Sequence, residues 1–429
     1  MLDIKYIKDN IELVNKNTSE RNLQIDINRL LSIYEQKLEL IKEVEVWRSE
    51  KNKHSKAKPT PELVEKLKKL GQAISAHDAK VRLLDEEIKK YLYQIPNIHM
   101  SDVPIGKSDR ENKVLRTNGI IPEFKFIPKD HVELGKLHDI IDVETSAKVS
   151  GPRFNYLKNQ AVLLEFALIN YAFEILTNEK VLHDIAKNAG IKVSTKPFTP
   201  LIPPYMIKPE VYEKMARLNE GDEDKYYFDK DDIYLIGSAE HTTGPMFMDH
   251  IFKENELPQR FVAFSPAFRR EAGSYGKDTK GILRVHQFEK IEMESFSLPE
   301  DSLNEQNFIV AIQEYLMESL KLPYRLMLIS TGDMGLPDAR QIDLETWMPS
   351  QKQYRETHTS DLMTDYQSRR LNTKVKRENN LLQYVHMNDA TTFAIGRILI
   401  AILENNQTES GRINIPAVLY PYLPFKYIG

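Results

Sequence analysis

Between Leu63 and Tyr91 the apolar residues recur at steps of four and three without a slip. The positions are Leu63, Leu67, Leu70, Ile74, His77, Val81, Leu84, Ile88 and Tyr91. This is heptad spacing, and it fits only a long helix that buries one seam against another helix. A candidate partner precedes it. Ile27, Leu31, Tyr34, Leu38 and Ile41 form a stripe on a charged segment running from Ile27 to Ser55, and Pro59-Thr60-Pro61 then stops the helix. The pattern predicts an antiparallel hairpin over about residues 27–93, roughly 45 Å long at 1.5 Å per residue. His77 reads as a tolerated seam residue. The tip is basic, with Arg48, Lys51, Lys53, Lys56 and Lys58 against the single acid Glu50. Such a run is either a solvated helix end or a nucleic-acid contact.

The rest of the chain has a different texture. Turn formers fill residues 96–118, and the linker is placed at 106–118, between an N-terminal domain (1–105) and a catalytic domain (119–429). Apolar helical stretches such as Gln160–Leu176 then mix with strand-like runs at Phe261–Ala267, Tyr324–Ser330 and Leu381–His386. That mixture predicts an α+β domain with a largely antiparallel sheet flanked by helices. The 429 residues contain no cysteine, which excludes disulfides, thiolate metal sites and a thiol nucleophile. A net charge of −4 means that any nucleic-acid site must be a local patch. No apolar run approaches a membrane span, and the start, MLDIKYIKDNIELV, does not look like a targeting peptide, so a cytoplasmic protein without membrane partners is expected.

The chemistry concentrates in Phe268–Glu292, FRREAGSYGKDTKGILRVHQFEKIE. It reads as two strands around a Gly/Lys-rich turn. Alternation would put Arg269 and Glu271 on one face, and Arg284, His286, Phe288, Lys290 and Glu292 on another. Arginine offers a planar fork for phosphate or carboxylate oxygens, Phe288 a flat surface for a base, and Glu292 a partner for an ammonium group. One such face suits a nucleoside triphosphate beside an amino acid. The segment resembles motif 2 of the class II aminoacyl-tRNA synthetases, in the form typical of seryl-tRNA synthetases, roughly FRxEAGxxGxDTxGxxRxHQFxKxE.

Three further stretches extend the resemblance. In YLIGSAE (Tyr234–Glu240), Ser238-Ala239-Glu240 stands where the family reads roughly TAE and binds the amino acid. In GDMGLPDARQIDLETWMPSQKQYRE (Gly332–Glu356), alternating acids Asp343, Glu345 and Glu356 offer hard oxygen ligands of the kind Mg²⁺ takes along with substrate phosphates. Glu356 with Thr359 resembles the family's metal- and ATP-binding pair. In VHMNDATTFAIGRILIAILEN (Val385–Asn405), Arg397 opens an apolar helix against the helix dipole and so requires an anionic partner. It resembles the motif 3 arginine that holds the γ-phosphate of ATP. The weakest likeness is motif 1, Gln160–Leu176 with FTPLIPPYM (Phe198–Met206), which builds the dimer interface in this class. The chain also departs from the pattern: Asp361-Leu362 replaces a common Ser-Asn, Asp389 stands for Asn, and Thr391 for Ser.

The resemblance implies a homodimer that uses ATP and Mg²⁺ to activate L-serine and passes it to the 3′ end of tRNA(Ser), whose long variable arm the hairpin grips. Service to selenocysteine tRNA stays open. Arg269, Arg397 and Glu292 would be catalytic. ATP would meet Arg269, Arg270, Glu271, Arg284, Val285, Phe288, Glu356, Thr357, His358, Thr359 and Arg397. Serine would meet Ser238, Ala239, Glu240, Arg269, Glu292, Asp389 and Thr391. Mg²⁺ would sit on Glu356 and Thr359, and tRNA on the five basic tip residues. Two alternatives remain at this stage: a catalytically inactive relative, and a ligase loading a different small amino acid or acceptor. The expected ATP-facing arginines and acids are all present, which speaks against the first, and the altered pocket residues keep the second open.

Overall fold

The computed structural model describes residues 1–54, 60–218, 223–272 and 280–429. The chain divides into two compact units, Met1–Ile98 and His99–Gly429.

The first unit begins with two short helices, Ile4–Asp9 and Ile11–Glu20, and continues into α1 (Ile27–His54) and α2 (Pro61–Gln94). Thr60 caps α2 by accepting from the Leu63 N–H at 3.2 Å, with Pro61 at the first helical position. Interhelical pairs Arg29–Glu87, Lys37–Asp85, Arg48–Asp78 and Glu50–Lys66 fix the antiparallel direction. His77 occupies the seam, its ring 4.6 Å from Trp47 and its Nε2 3.2 Å from Glu43. On α1 the fully buried residues are Ile27, Leu30, Ile33 and Val44, while the expected Leu31, Tyr34, Leu38 and Ile41 are half-buried. The apolar face is thus broader than one coiled-coil stripe. Near its base the preceding helices also reach it, with Lys8 bonding Glu35.

The second unit is built on an eight-stranded sheet. In chain order its strands are β1 (Lys113–Asn118), β2 (Thr199–Leu201), β3 (Gln259–Phe268), β4 (Gln287–Ser297), β5 (Tyr324–Leu328), β6 (Arg340–Met348), β7 (Gln353–Thr364) and β8 (His386–Ala394). Their spatial order is β1-β5-β6-β7-β8-β4-β3-β2, antiparallel throughout except for the edge pair β2–β3. β1 lies inside the segment expected to be the linker. All six of its side chains are exposed, so it lacks the alternating apolar signal of a half-buried strand, yet it pairs with β5 along its length. The run expected as a strand at Leu381–His386 is split: Leu382–Tyr384 belongs to a separate three-stranded sheet, and His386 opens β8.

Helices α3 (Gln160–Leu176), α4 (Ser302–Ser319) and α5 (Ile395–Asn405) join the sheet in one apolar core, to which β4 contributes Ile291 and Met293. The alternate residues Lys290 and Glu292 point to the other face, where the cleft lies. Two buried glutamines of α4 support that face from beneath. The Gln306 amide donates to the carbonyls of Arg340 and Ser360, and the Gln313 amide to those of Thr359 and Thr391, all at 2.8–3.0 Å. On β6, Trp347 packs edge-on to Tyr354 at 5.2 Å. Among the described residues no single helix is long and apolar enough to cross a membrane.

Candidate active site

A cleft of about 210 Å³ opens on the sheet face over β4, β7 and β8 and is closed by the N-terminus of α5. It gathers residues from every motif stretch except motif 1: Glu240; Arg269, Glu271, Arg284, Val285 and Phe288; Lys290 and Glu292; Glu356, Thr357 and Thr359; Asp389, Thr391 and Arg397.

The motif 2 stretch does not form two continuous strands. β3 ends at Phe268 and β4 begins at Gln287, directly opposite it in register. Arg269, Glu271, Arg284 and His286 therefore lie in the connection. Residues 273–279 of that connection fall outside the described residues. Glu271 sits in the left-handed region at φ 52°, which turns the chain and lets Arg284 meet its carboxylate at 3.2 Å. Gly281, at φ 71°, passes so close to His131 that a Cβ there would lie 1.9 Å from Nε2, so only glycine fits. Arg269 stands 5.3 Å over the Phe288 ring, and its Nε donates to the Gly237 carbonyl at 3.1 Å. A ring backed by a guanidinium on one face leaves the other for a base. His286 is turned away, its Nδ1–H donating to the Arg269 carbonyl at 3.0 Å, and with Arg270 it lines a neighbouring cleft beside Arg153 and Tyr226. Arg270 accordingly does not reach the expected ATP site. Its guanidinium lies 5.7 Å from the Tyr226 ring.

Glu356 and Thr359 are three residues apart, which in a regular strand would put them on opposite faces. The register between β6 and β7 shifts there: Leu344 faces His358 and Glu345 faces Glu356, leaving Thr357 as the extra residue of a bulge. The bulge brings Glu356, Thr357 and Thr359 to the cleft together. It sends His358 the other way, into full burial against Phe393 with its Nδ1 at 2.9 Å from the Thr357 hydroxyl. Burial pushes the His358 pKa down to about 3, so the ring is neutral. The His358 side chain therefore lies away from the cleft. Arg397 finds its anion in Glu356, donating to the carboxylate at 2.9 Å and to the backbone carbonyl at 2.8 Å. Its place in the cleft works against ionisation of Glu356, but Arg397, Arg269 and Lys290 outweigh this and hold its pKa below the ordinary value.

For Mg²⁺, the donor set is sparse. Glu345 is engaged by Arg325, and Asp343, cross-strand from Thr359, is pushed well above the ordinary carboxyl range by burial and by Glu356. Among the described residues no cluster of three metal-ligating side chains exists. Glu356 with the Thr359 hydroxyl fits an ion held mainly by substrate phosphates, the usual mode for Mg²⁺.

The amino-acid end is lined by Glu240, Lys290, Glu292, Asp389 and Thr391. Glu292 accepts from the Ser238 and Thr391 hydroxyls, each at 3.2 Å, and contacts the Lys290 ammonium. Burial is the largest influence on Glu292 and, with Glu240 nearby, raises its pKa to about 7 against the pull of Lys290. Ser238 and Ala239 are buried behind the cleft; the Ser238 hydroxyl meets Glu292 and Lys290, and the Ala239 carbonyl accepts from the Thr243 hydroxyl at 3.0 Å. Beneath Glu240, burial drives the His241 pKa down to about 3, and the neutral ring accepts from the Gly237 N–H at 3.1 Å. Sequence reasoning put Lys290 on the face of Glu292 but gave it no role. It missed Arg217, which lines the cleft between Asp361 and Asp389. Arg217 follows no motif, and its partners lie 144 and 172 residues away.

At the hairpin tip, Lys51 and Lys53 end α1, and Arg48 is engaged by Asp78 at 2.9 Å although its side chain remains 56% exposed. Lys56 and Lys58 lie outside the described residues.

Residues 1–99 match the seryl-tRNA synthetase N-terminal domain family, and residues 225–406 match the class II tRNA synthetase core domain (G, H, P, S and T). A serine–tRNA ligase of Dictyoglomus thermophilum is 37% identical over 433 residues, covering 99% of this chain and 98% of its own. One from Treponema denticola is 36% identical, with both chains covered in full. Among solved structures, seryl-tRNA synthetase from Pyrococcus horikoshii complexed with ATP matches at TM-score 0.88 and 36% identity, covering 100% of this chain and 99% of that one. A cytoplasmic serine–tRNA ligase from Naegleria fowleri in complex with AMP matches at TM-score 0.84 and 29% identity, over 100% and 98%. Similarity at this level runs through both units and every stretch that builds the cleft, and the chain belongs to the seryl-tRNA synthetase family.

Proposed function

We propose that this protein activates L-serine with ATP and transfers it to tRNA(Ser). The observation that carries the reading is the convergence of Arg269, Arg284, Phe288 and Arg397 on one cleft whose other end is acidic. A serine carboxylate oxygen attacks the α-phosphorus in line, pyrophosphate leaves, and the mixed anhydride seryl-adenylate remains. The 3′-terminal ribose hydroxyl of the tRNA then attacks the carbonyl carbon and expels AMP. Neither step needs a protein nucleophile, so the chain's work is positioning and charge neutralisation.

Arg269 spans the serine carboxylate and the α-phosphate. Phe288 carries the adenine, Arg284 and Glu271 fix the nucleotide, and Arg397 leaves Glu356 for the γ-phosphate. Glu240 and Glu292 take the α-ammonium, with Thr391 beside them. Mg²⁺, held by Glu356, Thr359 and the phosphates, adds charge neutralisation when bound. On the arm, Lys51 and Lys53 with Lys56 and Lys58 bind the tRNA backbone. Dimerisation through α3 and the β2 edge is supported by exposed apolar side chains there, Phe166 and Ile202 among them. The test is ATP–pyrophosphate exchange across the twenty amino acids. Serine is expected to drive it best, and faster exchange with any other amino acid sinks the seryl assignment.

A further inference from the structure

The two acids that depart most from the family pattern, Asp361 and Asp389, face each other across β7 and β8 and share one cation. Arg217 Nη2 lies 2.9 Å from Asp389 Oδ2 and 3.4 Å from Asp361 Oδ2. Both carboxylates are almost fully buried, at 4% and 7% exposure, and all three side chains line the amino-acid end of the cleft. Arg217 is set there by a strained turn. The short helix Pro209–Lys214 ends, Ala216 adopts the left-handed region at φ 57°, and the buried Gln367 amide pins the Met215 carbonyl at 2.9 Å. Alanine rarely takes that conformation, and it persists only where the surroundings hold it. Two buried polar atoms in the set have no hydrogen-bond partner, Arg217 Nε and Asp361 Oδ1.

We infer that Arg217 is a specificity-determining positioning residue, which fixes the Asp389 carboxylate as the acceptor for the amino acid's β-substituent. The inference rests on the serine-activating reading above. An asparagine amide both donates and accepts, whereas a carboxylate only accepts. The pocket therefore selects a β-substituent that donates a hydrogen bond, either hydroxyl or ammonium. Alanine offers no donor. Held by Arg217 on one oxygen, Asp389 keeps the other for the substrate. Without Arg217, Asp389 faces the buried Asp361 and lies near the buried Asp338 with no counter-charge of its own, and it loses both its orientation and its reason to stay ionised.

The test is a double-mutant cycle on the full chain, read by pyrophosphate exchange. Arg217→Gln is expected to raise the KM for serine at least tenfold, leave the KM for ATP within twofold, and erode the preference for serine over alanine. Arg217→Gln combined with Asp389→Asn, which removes one charge of each sign, is expected to recover the serine KM to within about threefold. 2,3-Diaminopropionate, a serine isostere with a β-ammonium group, should inhibit the wild type competitively with serine and lose at least tenfold in the double variant. Additive losses, an unchanged serine KM in Arg217→Gln, or equal inhibition of both proteins overturn the inference. If Arg217→Gln fails to fold, the double variant alone decides through its serine-to-alanine ratio and its inhibition. A wild type that ignores serine removes the seryl reading instead, and the cycle is then run with the amino acid that it does activate.

Discussion

The strand that delivers Arg269 is anchored by a buried ion pair, and breaking that pair should destabilise the catalytic unit heavily. Arg260 on β3 and Glu305 on α4 are 2% and 1% exposed. Their contact is bidentate, with Arg260 Nε 2.8 Å from Glu305 Oε2 and Nη2 on Oε1. Nη1 donates to the Lys196 carbonyl at 2.9 Å, and the Ser295 hydroxyl donates to Glu305 at 2.8 Å. Phe198 and Phe308 enclose the guanidinium at 5.7 and 5.2 Å. Glu305→Gln keeps the volume but removes the charge and turns an amide N–H₂ toward an arginine N–H. Removing one partner of a buried pair costs about 3–5 kcal/mol, because the remaining charge is left uncompensated. At about 2.1 cal/mol/K of unfolding entropy per residue, each kcal/mol is worth roughly 1.4 °C in a unit running from His99 to Gly429, so the melting temperature should fall by about 6 °C. Urea unfolding followed by circular dichroism checks this, and a loss below about 1 kcal/mol would refute the reasoning. Arg260→Met combined with Glu305→Leu replaces the pair by apolar groups and should recover most of the loss. Serine-dependent exchange at 20 °C should be nearly normal in the folded single variant, since neither residue lines the cleft.

Three other outcomes are expected. Arg269→Ala should lower the rate of adenylate formation by about a hundredfold, or about 3 kcal/mol, with the fold intact, and near-normal exchange would remove Arg269 from its role. Replacing residues 34–91 with a short flexible linker should spare pyrophosphate exchange and abolish aminoacylation, whose tRNA affinity in the intact protein should fall steeply with salt. Loss of both activities together would mean that the arm also organises the cleft. Burial, with the like charge of Glu289 behind it, raises the pKa of Glu165 from 4.5 to about 7. The folded state then binds more protons than the unfolded one between those values, so stability should fall as pH rises from about 4.5 to 7. Glu165→Gln should flatten that slope in melting temperatures taken at pH 5 and 7.5, and an unchanged slope would count against Glu165 as its source.

Legibility followed the range of the interactions. The α2 seam was readable because heptad spacing is a local property, and the Pro59-Thr60-Pro61 break placed the turn. Arg397's need for an anion was readable from its position at a helix start, though the identity of Glu356 was not. The bulge at Thr357 is set by pairing with β6, so nothing local showed that the His358 side chain turns away from Glu356 and Thr359. β1 escaped notice because an exposed edge strand carries no alternation. Arg217 escaped because a single basic residue after a short helix looks like any solvated charge. Only the fold brings Asp361 and Asp389 to it.

The two tryptophans fall one in each unit, Trp47 against His77 in the hairpin and Trp347 against Tyr354 on β6. Each indole is thus a native fluorophore confined to one part of the molecule. Trp347→Phe leaves an emission signal that reports only on the arm, and Trp47→Phe leaves one that reports only on the catalytic sheet. With no cysteine in the chain, a single thiol introduced on α2 would accept an energy-transfer dye without side labelling. Unfolding of the arm and of the catalytic sheet can then be followed separately within one protein.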